Sequence, residues 1–205
     1  GCLRSWTPER DDHALIEIHV TAAAFGDRVT ALATQETLVV QVGGESWIAD
    51  EYFESPIRRL ALSPDGLLLA AAGALRPVRL FDLSGRRALT ELDRLFWPTA
   101  LHFTPDGRLL VTQSAGHVRA WDACFWPCSI KIDLDCFDKS ALAVIYGGRG
   151  VAVAADPNLV LLVDLVAARE IGAFSTTAPA VSIDASTDGR RLVTGLADGT
   201  CVVWR

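Results

Sequence analysis

Pro98–Asp122 reads PTALHFTPDGRLLVTQSAGHVRAWD. It packs three short apolar runs into one stretch: Ala100–Phe103, Leu109–Thr112 and Val118–Trp121. Thr104-Pro105-Asp106-Gly107 joins the first two, because proline pre-sets φ at the second turn position and glycine accepts the strained exit. The small residues Ser114-Ala115-Gly116 join the second and third. Strands this short, punctuated by β-turns, predict an antiparallel meander.

The same pattern recurs on both sides. Asp65-Gly66, Asp106-Gly107 and Asp188-Gly189 each follow a short apolar strand, and Gly148-Arg149-Gly150 holds the corresponding place between the last two. Gly66 to Gly107 is 41 residues, and Gly107 to Gly189 is 82, or two periods. The third strands begin at Val78, Val118, Val160 and Cys201, which lie 40, 42 and 41 residues apart. Two independent landmarks therefore give one period of about 41 residues with three or four strands per unit, the signature of a β-propeller blade.

These residues resemble the WD40 repeat family. The resemblance rests on the turns Ser63–Gly66, Thr104–Gly107 and Thr187–Gly189, and on the strand endings Phe81-Asp82, Trp121-Asp122 and Val163-Asp164. Asp198-Gly199-Thr200 before Val202-Val203-Trp204 completes it. It covers Arg58–Arg205 clearly and Arg28–Asp50 more faintly. It implies an all-β propeller of about five blades, either a closed five-bladed ring or part of a larger propeller. The family often carries a Gly-His pair before the first strand of a blade. The positions here read Glu54-Ser55-Pro56, Phe96-Trp97-Pro98, Asp138-Lys139-Ser140 and Thr177-Ala178-Pro179 instead. The family's buried aspartate before the third strand corresponds to Asp198 and Asp156.

Residues 1–13 are polar and read as a tail, and residues 14–205 form the propeller domain, with units at 28–56, 57–97, 98–138, 139–178 and 179–205. The first unit is expected to have a short or missing outer strand, and the last stops after its third strand. Ala14–Val20 has no unit of its own, so it is expected to pair antiparallel with Val202–Trp204 as a closing strand, since an open sheet edge invites aggregation. The competing expectation is a piece of a longer protein, which the absence of any methionine also suggests. In either case the phase predicts no helix longer than two turns.

Composition narrows the function. Half of the 205 residues are hydrophobic and the net charge is −6, with mean hydropathy +0.27 and pI near 5.2. The acidic balance argues against nucleic acid as the main ligand. No apolar run approaches the roughly 20 residues of a membrane span, and the N-terminus lacks a signal-peptide pattern. A cytoplasmic, reducing setting fits five cysteines at Cys2, Cys124, Cys128, Cys136 and Cys201, an odd count without the spacing of a zinc site. No metal or other cofactor is expected.

There is no G-x-S-x-G, P-loop or H-E-x-x-H pattern, so the chain is read as a non-enzyme. Asp65, Gly66, Asp106, Gly107, Asp188 and Gly189 are read as turn residues. Asp82, Trp121, Asp122, Asp164, Asp198 and Trp204 are read as strand-end or turn residues. In a propeller, one face gathers the loops between second and third strands and those between consecutive blades. By resemblance to the family, that face binds partners. Its candidates are Arg76, Arg94, Phe96, Trp97, His117, Asp156 and Asn158, because Trp and Arg are favoured binding anchors. Phe125-Trp126-Pro127 projects from a linker on the opposite face. The expected function is a non-catalytic scaffold or sensor propeller that binds a protein or peptide, within a multidomain signalling or regulatory protein. The Arg-, Ala- and Leu-rich composition suggests a GC-rich, bacterial genome, and WD40-like propellers there are often attached to a kinase or NTPase domain. The alternative is a small-ligand-binding or enzymatic propeller using the central channel, against which the mainly apolar inner strands weigh.

Overall fold

Where apolar runs alternate with tight turns, the chain goes out and back as a meander, five times over. The computed structural model describes residues 20–34, 37–50, 56–94, 97–123, 129–132, 141–186, 188 and 190–205. The first sheet is β1 (Ala22–Phe25), β2 (Val29–Ala33), β3 (Leu38–Val42) and β4 (Glu45–Asp50). The second is β5 (Ile57–Leu62), β6 (Leu68–Gly73), β7 (Pro77–Asp82) and β8 (Arg87–Arg94). The third is β9 (Pro98–Phe103), β10 (Leu109–Ser114), β11 (His117–Asp122) and β12 (Ser129–Ile132). The fourth is β13 (Leu142–Ile145), β14 (Gly150–Asp156), β15 (Leu159–Asp164) and β16 (Arg169–Ser175), and the fifth is β17 (Ala180–Ala185), β18 (Leu192–Leu196) and β19 (Cys201–Trp204). Every pairing is antiparallel between sequence neighbours, so each sheet is one propeller blade, and no sheet closes on itself. Among the described residues the helical content is one 3₁₀ turn, Tyr146–Gly148.

The blades stack face to face. One buried cluster joins the first two through Leu38, Val40, Ile57 and Phe81, and another joins the second and third through Val78, Leu80, Leu101 and Trp121. Val111, Val118, Val151 and Leu165 join the third and fourth, and Ile145, Ala152, Ile183 and Leu192 the fourth and fifth. This explains two kinds of strand. In the middle blades, β6, β10 and β14 are buried almost throughout, because both faces meet a neighbour, and apart from Gln113 in β10 and Asp156 at the end of β14 their residues are apolar or small, without alternation. At the ends of the series, β1, β18 and β19 alternate buried or half-buried with exposed positions, as one-sided strands do.

Two sequence expectations need correction. The first unit begins at Ala22, not at residue 28. It is a complete four-stranded sheet, with β1 on β2 (Ala23 opposite Leu32, Phe25 opposite Thr30) and the third strand of the reading found at Glu45–Asp50. Ala22-Ala23-Ala24-Phe25 escapes a pattern search because alanine carries little strand preference. Long-range pairing makes the strand, helped by the Thr21 hydroxyl donating to the Ala33 and Thr34 carbonyls (3.2 and 3.0 Å). The second correction concerns Asp198 and Asp156, which are exposed. Asp198 accepts from the Thr200 backbone N–H (2.9 Å) and hydroxyl (2.7 Å), closing its own turn. Of the expected closing strand Ala14–Val20, residues 14–19 lie outside the described residues.

One turn is built three times. The hydroxyl of Ser63, Thr104 or Ser186 donates to the carboxylate of Asp65, Asp106 or Asp188 (2.5, 2.5 and 2.6 Å). The same hydroxyl accepts from the backbone N–H of Leu68, Leu109 or Arg191 (2.8, 3.0 and 3.0 Å). Gly66 and Gly107 leave the turn at φ +70. A Cβ on Gly107 would sit 3.6 Å from Pro64 Cδ, an ordinary contact. Gly107→Val is therefore expected to lose only the backbone-strain term, about 1–3 kcal/mol, and an unchanged melting temperature would contradict that.

Asp82 closes the turn between β7 and β8. It accepts from the Ser84 hydroxyl (2.6 Å), the Gly85 N–H (2.9 Å) and Arg87 Nε (3.3 Å). The Ser84 bond first, then that of Gly85, holds its pKa at about 2, against an ordinary 3.8. Asp164, with bonds from the Ala167 and Val166 N–H groups, and Asp188, bonded by the Ser186 hydroxyl, are lowered as well. A carboxylate with a depressed folded-state pKa stabilises fully above its unfolded value and loses that contribution as pH falls through its folded value. Melting temperature is expected to drop between pH 3.8 and about 2, and Asp82→Asn should flatten that drop. An identical pH profile in the variant would show that this turn does not contribute.

Candidate functional site

In an out-and-back sheet, successive connections alternate between its two ends. One end of these blades therefore gathers the β6–β7, β10–β11 and β14–β15 loops with the β8–β9 and β16–β17 links between blades. Backbone bonds clip link to loop: the Trp97 N–H donates to the Ala74 carbonyl and the Ala180 N–H to the Pro157 carbonyl, both at 3.0 Å.

Trp97 is the residue this rim displays. It is 58% exposed and has φ +55, a left-handed conformation that bulky residues rarely adopt and that costs roughly 1–3 kcal/mol. The Arg58 guanidinium lies over its ring, 4.9 Å from the centroid, in cation–π geometry. Beside Arg58, Arg59 donates from Nε to the Thr99 carbonyl (3.0 Å) and from a terminal guanidinium nitrogen to the Arg58 carbonyl (2.9 Å), tying β5 to β9. Leu75, 55% exposed, and the half-buried Arg76 follow Ala74 in the clipped loop.

The other candidates spread along the same end. His117 is exposed at the start of β11, after the turn formed by Ala115 (φ +47) and Gly116 (φ +79). Asp156, the last residue of β14, and Asn158, in the β14–β15 loop, are exposed two blades from β8. Arg76 thus lies in the loop that is clipped to Trp97 through Ala74, and Asp156 and Asn158 lie elsewhere on the rim. Arg94 ends β8; Phe96 lies outside the described residues, as do Phe125-Trp126-Pro127, Gly189 and all cysteines except the exposed Cys201. Sequence reading missed Arg58 and Arg59, whose signal was two adjacent charges inside an otherwise apolar inner strand.

The inner strands are also less apolar in effect than expected. Arg59 of β5 and Asp184 of β17 each act electrostatically on His102 of β9. His102 keeps open surface, yet crowding by the strands around its ring, and then the Arg59 charge, hold its pKa below the ordinary histidine value, against the pull of Asp184. Among the described residues, no group of three or more His, Cys, Asp or Glu side chains could hold a metal ion. No helix among them is long and apolar enough to cross a membrane.

The WD domain, G-beta repeat family model matches residues 96–122 and 170–205. The chain carries WD40 repeats. The two matched WD40 stretches share an internal bond: Trp121 Nε1 donates to Thr112 Oγ1 (3.1 Å), and Trp204 Nε1 to Thr194 Oγ1 (3.0 Å). The second and fourth blades have Phe81 and Val163 at the corresponding place and cannot make that bond. The chain is also 30% identical over 167 residues to the Target of rapamycin complex subunit wat1 of Schizosaccharomyces pombe. That alignment covers 76% of this chain and 51% of the relative, so the chain spans about half the length of the curated relative it matches. WD40 repeats and a relative that is a complex subunit support a protein-interaction scaffold.

Proposed function

We propose that this chain is a non-catalytic scaffold that docks a protein partner on the rim around Trp97, with Arg58 and Arg76 beside it, inside a larger signalling or regulatory assembly in the cytoplasm. The observation that carries this reading is Trp97 itself, a large aromatic held in a strained backbone conformation and left open to solvent. Strain of that kind persists where function uses it, and exposed Trp and Arg are the residues that anchor interfaces. The relative's name supports membership of a multi-subunit complex. A kinase or NTPase module attached to this propeller belongs to the same proposal.

The test is Trp97→Asn. Asparagine tolerates the left-handed region, so the variant should keep or raise the melting temperature while losing the partner that co-purifies with the wild-type chain from its native host. Retention of that partner at wild-type yield would overturn the assignment. The charges of Arg59 and Asp184 acting on His102 favour, as a second reading, a small ligand at the inner strands. Binding lost on Arg59→Ala but kept on Trp97→Asn would single that reading out.

A further inference from the structure

A second surface lies between the fourth and fifth blades, opened by the turns at the other end of the strands. An open cleft of about 470 Å³ runs between the fourth and fifth blades, lined by Tyr146, Phe174 and Trp204 and rimmed by Arg190, Arg191 and Arg205. Phe174 and Trp204 form its floor, with ring centroids 4.1 Å apart and planes tilted by 38°. The Trp204 N–H is committed to Thr194, 3.0 Å away, which fixes the indole. Tyr146 is 49% exposed and sits at φ +51, a second strained aromatic. Arg190 and Arg191 come from the β17–β18 turn and Arg205 follows β19. Asp188, a carboxylate that feels the charges of the first two, is already bonded by the Ser186 hydroxyl (2.6 Å) and the Arg190 backbone N–H (3.0 Å). Among the described residues, none of the three guanidinium groups is ion-paired.

We propose that this cleft is a separate docking site for an extended acidic peptide segment of a partner, one that places a large apolar side chain on the Phe174–Trp204 floor and its flanking carboxylates on the arginine rim. The volume suits one or two side chains. Guanidinium groups present paired N–H donors that match carboxylates. The chain as a whole carries net charge −6, so three arginines on one rim are a local inversion of sign. That inversion steers a short anionic segment inward, while the overall charge disfavours a long polyanion. The site does not rest on the Trp97 reading, since it uses none of the residues around Trp97.

The test is fluorescence anisotropy on the full chain with two labelled synthetic dodecapeptides. One has a central Phe-Leu pair flanked by Asp and Glu; the other has Asn and Gln in their place. The acidic peptide should bind at least about tenfold more tightly than the neutral one, a 1.4 kcal/mol difference, and weaken as salt rises. Arg190→Gln with Arg191→Gln should remove that preference, Arg205→Gln should reduce it, and Trp97→Asn should leave it intact. The three arginines are exposed, so a matching melting temperature checks that each variant folds. Equal binding of both peptides, undiminished binding by the double variant, or no binding of the acidic peptide would overturn the proposal. Self-association of the chain that vanishes in the double variant would assign the cleft to a second copy, and would overturn it too.

Discussion

Gly148→Val is expected to destabilise the chain by about 3–5 kcal/mol, from backbone strain and overpacking together. Gly148 has φ +103, and a Cβ there would sit 2.9 Å from Thr104 Cβ and 3.3 Å from Asp106 Oδ1. Thr104 and Asp106 are already locked in their own turn, so neither can step aside. For a domain of this size each kcal/mol moves the melting temperature by about 2–4 °C. The control is Gly43→Ala, with φ +58 but nothing within 4 Å of the added atom; it should cost only the left-handed penalty, about 1–2 kcal/mol. If the two variants melt together, the contact between neighbouring turns is not close enough to matter.

Trp121→Ala should cost a similar amount, about 3–5 kcal/mol. The residue is 3% exposed in the cluster between the second and third blades, and its removal both opens a cavity and strips Thr112 Oγ1 of its donor. Trp121→Phe separates the two effects by keeping much of the ring volume and losing the bond. The phenylalanine variant should recover more than half of the lost stability, measured by urea denaturation. Equal losses in both would mean that the hydrogen bond, and not the volume, dominates.

The repeat was legible because its punctuation is local. Pro105 and Asp106 specify a turn within four residues, and so do Pro64 and Asp65, so their 41-residue phase could be read without any tertiary knowledge. β1 was not legible, because Ala22-Ala23-Ala24 becomes a strand only when β2 is beside it. Asp198 was misread as buried because its motif matches the family while its bonds stay within the turn. The rim was half legible. Trp97 and Arg76 stand out by type, but Arg58 is 39 residues before Trp97, and stacking across that distance is decided by how β5 and β9 lie side by side. The Phe174–Trp204 cleft was invisible for the same reason, since its walls come from two blades and its arginines from the β17–β18 turn and from the residue after β19.

Each buried cluster described above spans two adjacent blades and stops there. The molecule's cohesion is therefore a sum of junctions, with no single centre whose loss dissolves the whole. Duplicating one 41-residue unit within the gene adds one junction and disturbs none of the others, and excising one removes a junction and asks its two neighbours to meet. Lineages that carry such a chain can change the number of units without redesigning a core, provided that the new neighbours present Ala and Val where β6, β10 and β14 present them now.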